Sequence, residues 1–149
     1  MPVRPAEPAD LDAICAMIKA HAELEGGAVA LHLTELHETL FADHAIGHAL
    51  IATPPGSTVP AGCALWYRTF STWAGRRGIW LEDLYVEPEH RRHGLGRELL
   101  MALRAATTGR VEWDVARAND GAQAFYRSLG AEPIEGWTRF RWAPTTPQP

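Results

Sequence analysis

A strand-like run, Leu84-Tyr85-Val86, meets Pro88, and shortly beyond it two glycines, Gly94 and Gly96, open an amphipathic stretch. Leu95, Leu99, Leu103 and Ala106 recur there at helical spacing, predicting a helix from about Leu95 to Thr107. A strand that turns on glycines straight into a helix commits the chain to a sheet with helices packed against it. The first N–H groups of such a helix have no partner within it and point outward. Arg91, Arg92 and Arg97 add positive charge at that end. The combination suits a phosphate or pyrophosphate. Taken alone, the glycines fit a plain tight turn equally well.

The rest of the chain supplies the sheet and its cover. Residues 2–5 read as a short strand. Pro8 suits the first position of a helix and Asp10 its positive end; Leu11, Ile14, Ile18 and Ala22 form one face, and Gly26-Gly27 stops it. A second helix is predicted over Thr34 to Phe41, and strands over His48–Thr53, Gly62–Phe70 and Ile79–Val86. Short connections between these strands predict antiparallel neighbours. Val111–Val115 reads as a further strand, Asn119 as the cap of a helix that runs to Leu129 and stops at Gly130, and Thr138–Trp142 as a last strand. The fold class expected is α/β in the α+β sense: one domain over residues 1–142, with a mixed, mostly antiparallel sheet between helices. The proline-rich residues 143–149 are expected to be a disordered tail.

Composition narrows the function classes. A net charge of -4 disfavours nucleic acid as a partner, and no apolar run has the length to span a membrane. The N-terminus lacks the apolar core of a secretory signal, so a cytoplasmic location is the expectation. Cys15 and Cys63 lack the spacing of a metal or redox pair and read as buried thiols. His44 and His48 have no third ligand beside them, so no metal is expected.

The run Arg91-Arg92-His93-Gly94-Leu95-Gly96 fits R-x-x-G-x-G and resembles the acetyl-CoA signature of the GCN5-related N-acetyltransferase (GNAT) superfamily. Phe70-Ser71-Thr72-Trp73, Leu81-Glu82-Asp83-Leu84-Tyr85-Val86, Asn119, Phe125–Ala131 and Glu135-Gly136-Trp137 are similar to its diamine (spermidine/spermine) and thialysine N-acetyltransferase branch. Ile18-Lys19 and Glu23-Leu24-Glu25 align as well. The resemblance implies a transferase moving an acetyl group from acetyl-CoA, as co-substrate, to a primary amine, with a homodimer as the assembled form. Cofactor contacts are implied at Leu84, Tyr85, Val86, Arg91, Arg92, His93, Gly94, Leu95, Gly96, Arg97, Asn119, Ala122 and Tyr126. Acceptor contacts are implied at Leu24, Glu25, Ser71, Trp73, Glu82, Asp83, Glu112, Asp114 and Glu135. Polyamine acetylators of the branch carry aspartate where Ser71 stands, so Ser71-Thr72-Trp73 is closer to the thialysine type.

The chemistry gives several of these residues two readings. Glu82 and Asp83 interrupt an apolar strand, and alternation predicts opposite faces for them. An acceptor arrives as an ammonium and must lose a proton before attack, which a carboxylate can take directly or through water. The resemblance implies that role for Glu82; a structural ion pair is the other reading. Asp83 fits a structural or an amine-binding role. Tyr126 lies beside the stripe Ala122, Phe125 and Leu129, so it reads either as core or, as the resemblance implies, as the general acid for the departing thiolate. Asn119 fits a helix cap, a cofactor contact, or both. An N–H near Leu84 is the implied oxyanion donor. The same pattern also admits a protein lysine, a protein N-terminus or an antibiotic amine as acceptor, or a non-catalytic acyl-CoA-binding module.

Overall fold

The structure is a computed structural model that describes residues 2–145. The chain divides into two compact units, Met1–Asp114 and Val115–Pro149.

The larger unit begins with β1 (Val3–Pro5) and enters α1 (Leu11–Leu24) through a 3-10 turn at Pro8–Asp10. Pro8 thus opens a tighter turn than the predicted helix start. Asp10 explains why: its Oδ2 accepts the Glu7 N–H at 2.8 Å, and Arg4 donates to both carboxylate oxygens at 2.7 and 2.9 Å. The Arg4 hydrogen bond holds the buried Asp10 carboxyl below its ordinary value, against the upward pull of burial. The chain continues through α2 (Leu33–Phe41), β2 (His48–Ala52), β3 (Gly62–Ser71), β4 (Arg76–Val86), a 3-10 turn at Pro88–His90, α3 (Leu95–Ala105) and β5 (Val111–Glu112).

The strands form one sheet in the order β1-β2-β3-β4-β5. The first four are antiparallel neighbours, and β5 runs parallel to β4. On one face, Ile14, Cys15 and Ile18 of α1 and Leu36 and Leu40 of α2 pack against Ala49, Ile51, Cys63, Leu65 and Tyr85. Leu95, Leu99, Leu100 and Leu103 of α3 are buried outside that cluster, with α3 lying along β1 to β4. Alternation assigns Ala52, Ala64, Ile79 and Leu81 to this second face. Both cysteines are buried and unbridged, and burial pushes the Cys63 thiol up to about 12.

β5 docks by a close backbone crossing. A Cβ on Gly109 would overlap the Arg77 carbonyl, standing 2.8 Å from its carbon. Ile79 N–H donates to Arg110 O at 2.9 Å across that junction, and the Thr107 hydroxyl donates to Arg77 O at 2.7 Å.

The smaller unit holds α4 (Asp120–Ser128). Asn119 caps it, its Oδ1 accepting the Ala122 N–H at 3.0 Å. The helix ends with Gly130 N–H on Arg127 O and Ala131 N–H on Tyr126 O, the paired bonds of a Schellman stop. No strand forms over residues 138–142, contrary to the sequence pattern. Thr138-Arg139-Phe140-Arg141-Trp142 does alternate, but a strand also needs a ladder partner, and Phe140 and Trp142 stand 92% and 101% exposed. The tail prediction falls partly on residues 146–149, which lie outside the described residues.

Candidate active site

The β3–β4 ladder skips one residue. Leu65 pairs with Asp83 and Trp66 with Leu81, so Glu82 has no opposite number. An extra residue of this kind is a β-bulge, and it shifts the side-chain phase of everything beyond it. Glu82 Oε2 accepts the Tyr67 hydroxyl at 2.9 Å and the Trp80 indole N–H at 2.9 Å, so Tyr67, Trp80 and Glu82 share a face. Asp83 meets His21 of α1, its Oδ1 lying 3.4 Å from Nδ1. Tyr85 packs into the cluster under α1. The two carboxylates therefore lie on the same side of the sheet, correcting the opposite faces that strict alternation predicts. Glu82 is exposed, and its partners are two neutral donors in place of the alternative ion pair. Those donors hold one oxygen and leave the other to meet a ligand.

His21 ties the end of α1 to this face. Besides Asp83, its Nε2 lies 3.9 Å from Glu25 Oε1, and its ring centroid is 6.0 Å from that of Tyr85. The Asp83 hydrogen bond holds the imidazole above its ordinary value against burial; Glu25 adds to the rise and Arg91 opposes it. Leu24, next to Glu25, is exposed.

Beyond the bulge, one edge of β4 lies open. Pairing with β5 covers only Ile79 and Trp80, while Leu84, Tyr85 and Val86 pair with β3 on the other side. Within the larger unit, the backbone from Glu82 to Val86 thus offers an unpaired edge to an extended ligand. That edge leads to α3. Gly94 is the N-cap with φ 90°, where a Cβ would meet nothing within 4 Å, and Arg92 two residues earlier has φ 63°. Glu98 N–H is the one that bonds back to Gly94 O, at 3.0 Å, leaving Leu95, Gly96 and Arg97 N–H outside the helix ladder. Arg92, His93 and Arg97 are exposed around this open cradle. Arg91 is engaged: its Nε donates to Val86 O at 2.8 Å, and its guanidinium lies 5.6 Å from the Tyr85 ring centroid. Amides outside the helix ladder, positive charge and room above Gly94 fit a pyrophosphate, and the free strand edge fits the amide-bearing arm of coenzyme A.

In the smaller unit, Asn119 caps α4, which carries Ala122 and Tyr126, and the Tyr126 ring lies 5.5 Å from that of Phe125. Asn119 is a cap, as one of its readings holds. Glu135 is exposed beyond the helix.

The model of the acetyltransferase (GNAT) family matches residues 16–131. The chain belongs to this family. The thialysine N-epsilon-acetyltransferase of Sus scrofa is 33% identical over 156 aligned residues, covering 94% of this chain and 91% of that protein. Among solved structures, a possible acetyltransferase from Clostridium difficile 630 superposes with a TM-score of 0.79 at 22% identity, over 97% of each chain. An aminoglycoside acetyltransferase from an uncultured soil metagenomic sample, in complex with sisomicin, gives 0.74 at 17% identity, over 96% of this chain and 95% of that one. The protein is an acetyl-CoA-dependent N-acetyltransferase.

Within the larger unit of this acetyltransferase, the fold gathers Glu82, Asp83 and Glu25 on one face, beside the open edge and the α3 cradle. Glu112 pairs with Trp80 across β4 and β5, and Arg110 Nε holds it at 2.8 Å. Ser71 lies apart from that group. It lines a cavity of about 300 Å³ at the hairpin end with Thr69, Arg76, Thr108 and Arg110. Trp73 and Asp114 are exposed. Sequence reasoning missed His21, Tyr67 and Trp80. The one signal for His21 was its i,i+4 spacing to Glu25. Among the described residues, no group of three His, Cys, Asp or Glu could hold a metal ion, and no helix is long and apolar enough to cross a membrane.

Proposed function

We propose that this enzyme acetylates the primary amine of a small cationic acceptor, thialysine-like or diamine-like, by direct transfer from acetyl-CoA. The observation that carries the reading is Glu82, an exposed carboxylate fixed through one oxygen by Tyr67 and Trp80 and placed by the bulge on the same face as Asp83. Similarity to thialysine N-epsilon-acetyltransferases supports the acceptor class. In this reading Glu82 takes the ammonium proton, directly or through water, and the freed lone pair attacks the thioester carbonyl. The Leu84 N–H stabilises the oxyanion. Tyr126 gives its proton to the departing coenzyme A thiolate. Coenzyme A supplies the activated acyl thioester; Leu84 to Val86 pair with its pantetheine arm, the α3 N-terminus with Arg92 and Arg97 holds its pyrophosphate, and Asn119 and Ala122 approach its acyl end. Glu25, Asp83 and Glu112 attract the acceptor's positive charge, with Leu24, Trp73, Asp114 and Glu135 at the rim.

Residues 1–142 form the catalytic domain in this reading, and the enzyme works in the cytoplasm as a homodimer. Ile134, Trp137, Phe140 and Trp142 are exposed in a segment with strand-like alternation, which a second copy would cover. Light scattering at micromolar concentration is expected to give twice the chain mass; a monomer mass refutes the dimer.

The test is coenzyme A thiol release from acetyl-CoA against thialysine, lysine, spermidine, short diamines, an aminoglycoside and a lysine peptide. Turnover on a small amine is expected, falling about a hundredfold or more in Glu82→Gln and Tyr126→Phe. Full activity in both variants overturns the assigned roles. Turnover confined to the peptide or the aminoglycoside overturns the acceptor class.

A further inference from the structure

The imidazole of His21 lies between the two carboxylates that the proposed acceptor site offers to a cation. Nδ1 is 3.4 Å from Asp83 Oδ1, and Nε2 is 3.9 Å from Glu25 Oε1. The ring is half-buried, and the Tyr85 ring centroid lies 6.0 Å from its own. We infer that His21 is a specificity-determining residue: as an imidazolium it occupies, from within the protein, the carboxylate pair that would otherwise hold a second ammonium of a polycationic acceptor. The inference rests on the proposed acceptor site and adds to it a discrimination against chains such as polyamines.

The charged groups facing His21 come from three elements. Glu25 lies one turn further along its own helix, Asp83 projects from β4, and Arg91 follows the turn after β4. Tyr85 donates its hydroxyl to Glu87 at 3.2 Å, and the Cys63 thiol is buried beneath the strand. Asp83 and Glu25 favour the imidazolium, while burial and Arg91 oppose it, and the balance lies above the ordinary histidine value. Below that raised value His21 is charged and the carboxylate pair is occupied. As pH rises through it, the imidazole becomes neutral and the pair is released to a ligand. An acceptor whose distal end is a zwitterion brings no net second cation and loses little from the occupation. A triamine loses most.

The test is calorimetric binding of spermidine to the coenzyme A-loaded protein at pH 6.5 and pH 9, in wild type, His21→Gln and His21→Leu. The glutamine keeps polar contacts without the charge, and the leucine covers the case in which glutamine fails to fold. Removing the cation is expected to tighten spermidine about fivefold or more at pH 6.5, and less than twofold at pH 9. Equal affinity in wild type and variants at pH 6.5, or no spermidine binding in any of them, overturns the inference. Asp83→Asn and Glu25→Gln separate this from failure of the acceptor site. If those changes leave the KM for the enzyme's best amine unaltered, the acceptor-site reading fails first. If they raise KM while the His21 variants leave spermidine affinity unchanged, only the role of His21 fails.

Discussion

Replacing Gly109 by alanine tests the backbone crossing that docks β5 onto β4. The new Cβ would overlap Arg77 O and stand 2.8 Å from Arg77 C and 3.2 Å from Gly78 Cα. All three are main-chain atoms of β4, so no flexible side-chain end can yield. The loop must move outward, which strains the Thr107 hydroxyl bond to Arg77 O at 2.7 Å and the Ile79 N–H bond to Arg110 O at 2.9 Å. Overpacking a fitted site costs about 1–3 kcal/mol, and a clash against backbone belongs at the upper end. At about 3 kcal/mol, a domain of this size loses roughly 6–12 °C in Tm. Urea unfolding of Gly109→Ala beside Gly27→Ala supplies the comparison. A Cβ on Gly27 meets only Ala22 O at 3.6 Å, an ordinary contact, so that variant is expected to stay within about 0.5 kcal/mol of wild type. If Gly109→Ala also stays within about 0.5 kcal/mol, the crossing is looser than described and the reasoning fails.

Gly94→Ala forces a β-carbon onto φ 90°, costing about 1–2 kcal/mol at the head of α3; coenzyme A is expected to bind about tenfold more weakly by calorimetry, with unchanged affinity as the refuting result. Asp10→Asn breaks a charge pair on a nearly buried carboxylate and should cost about 1–3 kcal/mol at pH 7. Because the folded pKa of Asp10 is lowered, its contribution is present above about pH 4 and disappears as pH falls through the folded value. The gap between wild type and Asp10→Asn in urea midpoints should therefore close on acidification. Cys63, with its thiol pushed to about 12 by burial, should label with a thiol reagent at pH 8 only at the rate of opening or unfolding; rapid labelling in native protein contradicts its burial.

The helices were legible because their apolar residues repeat at the spacing that buries one side. Leu95, Leu99 and Leu103 are buried as the repeat requires, and so are Ile14 and Ile18. The antiparallel pairing of β2, β3 and β4 was legible from the short connections between them. The phase of β4 was not. Alternation assumes one residue opposite one residue, and nothing in Leu81-Glu82-Asp83-Leu84 announces the residue left over. Only the pairing of Leu65 with Asp83 and Trp66 with Leu81 reveals it. His21 was hidden for a related reason: a histidine on a helix says little until Asp83 is seen across from it. Thr138 to Trp142 failed in the other direction, since a strand is a property of two segments and the sequence exhibits one.

The extra residue in β4 also sets how this site can change over generations. A ribbon with two sides stores a parity, and Glu82 inverts that parity at one point. Residues before it keep Ile79 and Leu81 facing the interior, while residues after it keep Tyr85 there on the reverse side. Ordinary substitutions cannot undo the inversion; loss or gain of a single codon can. An in-frame deletion of Glu82 itself would bring Leu81 next to Asp83, turn the two-against-one pairing into a regular ladder and leave both halves of the strand facing as they do now, at the cost of the carboxylate. Loss or gain of one residue elsewhere in the paired part of β4 has no such slack and reverses the faces beyond it, so away from Glu82 the strand should tolerate changes of side chain far better than changes of length.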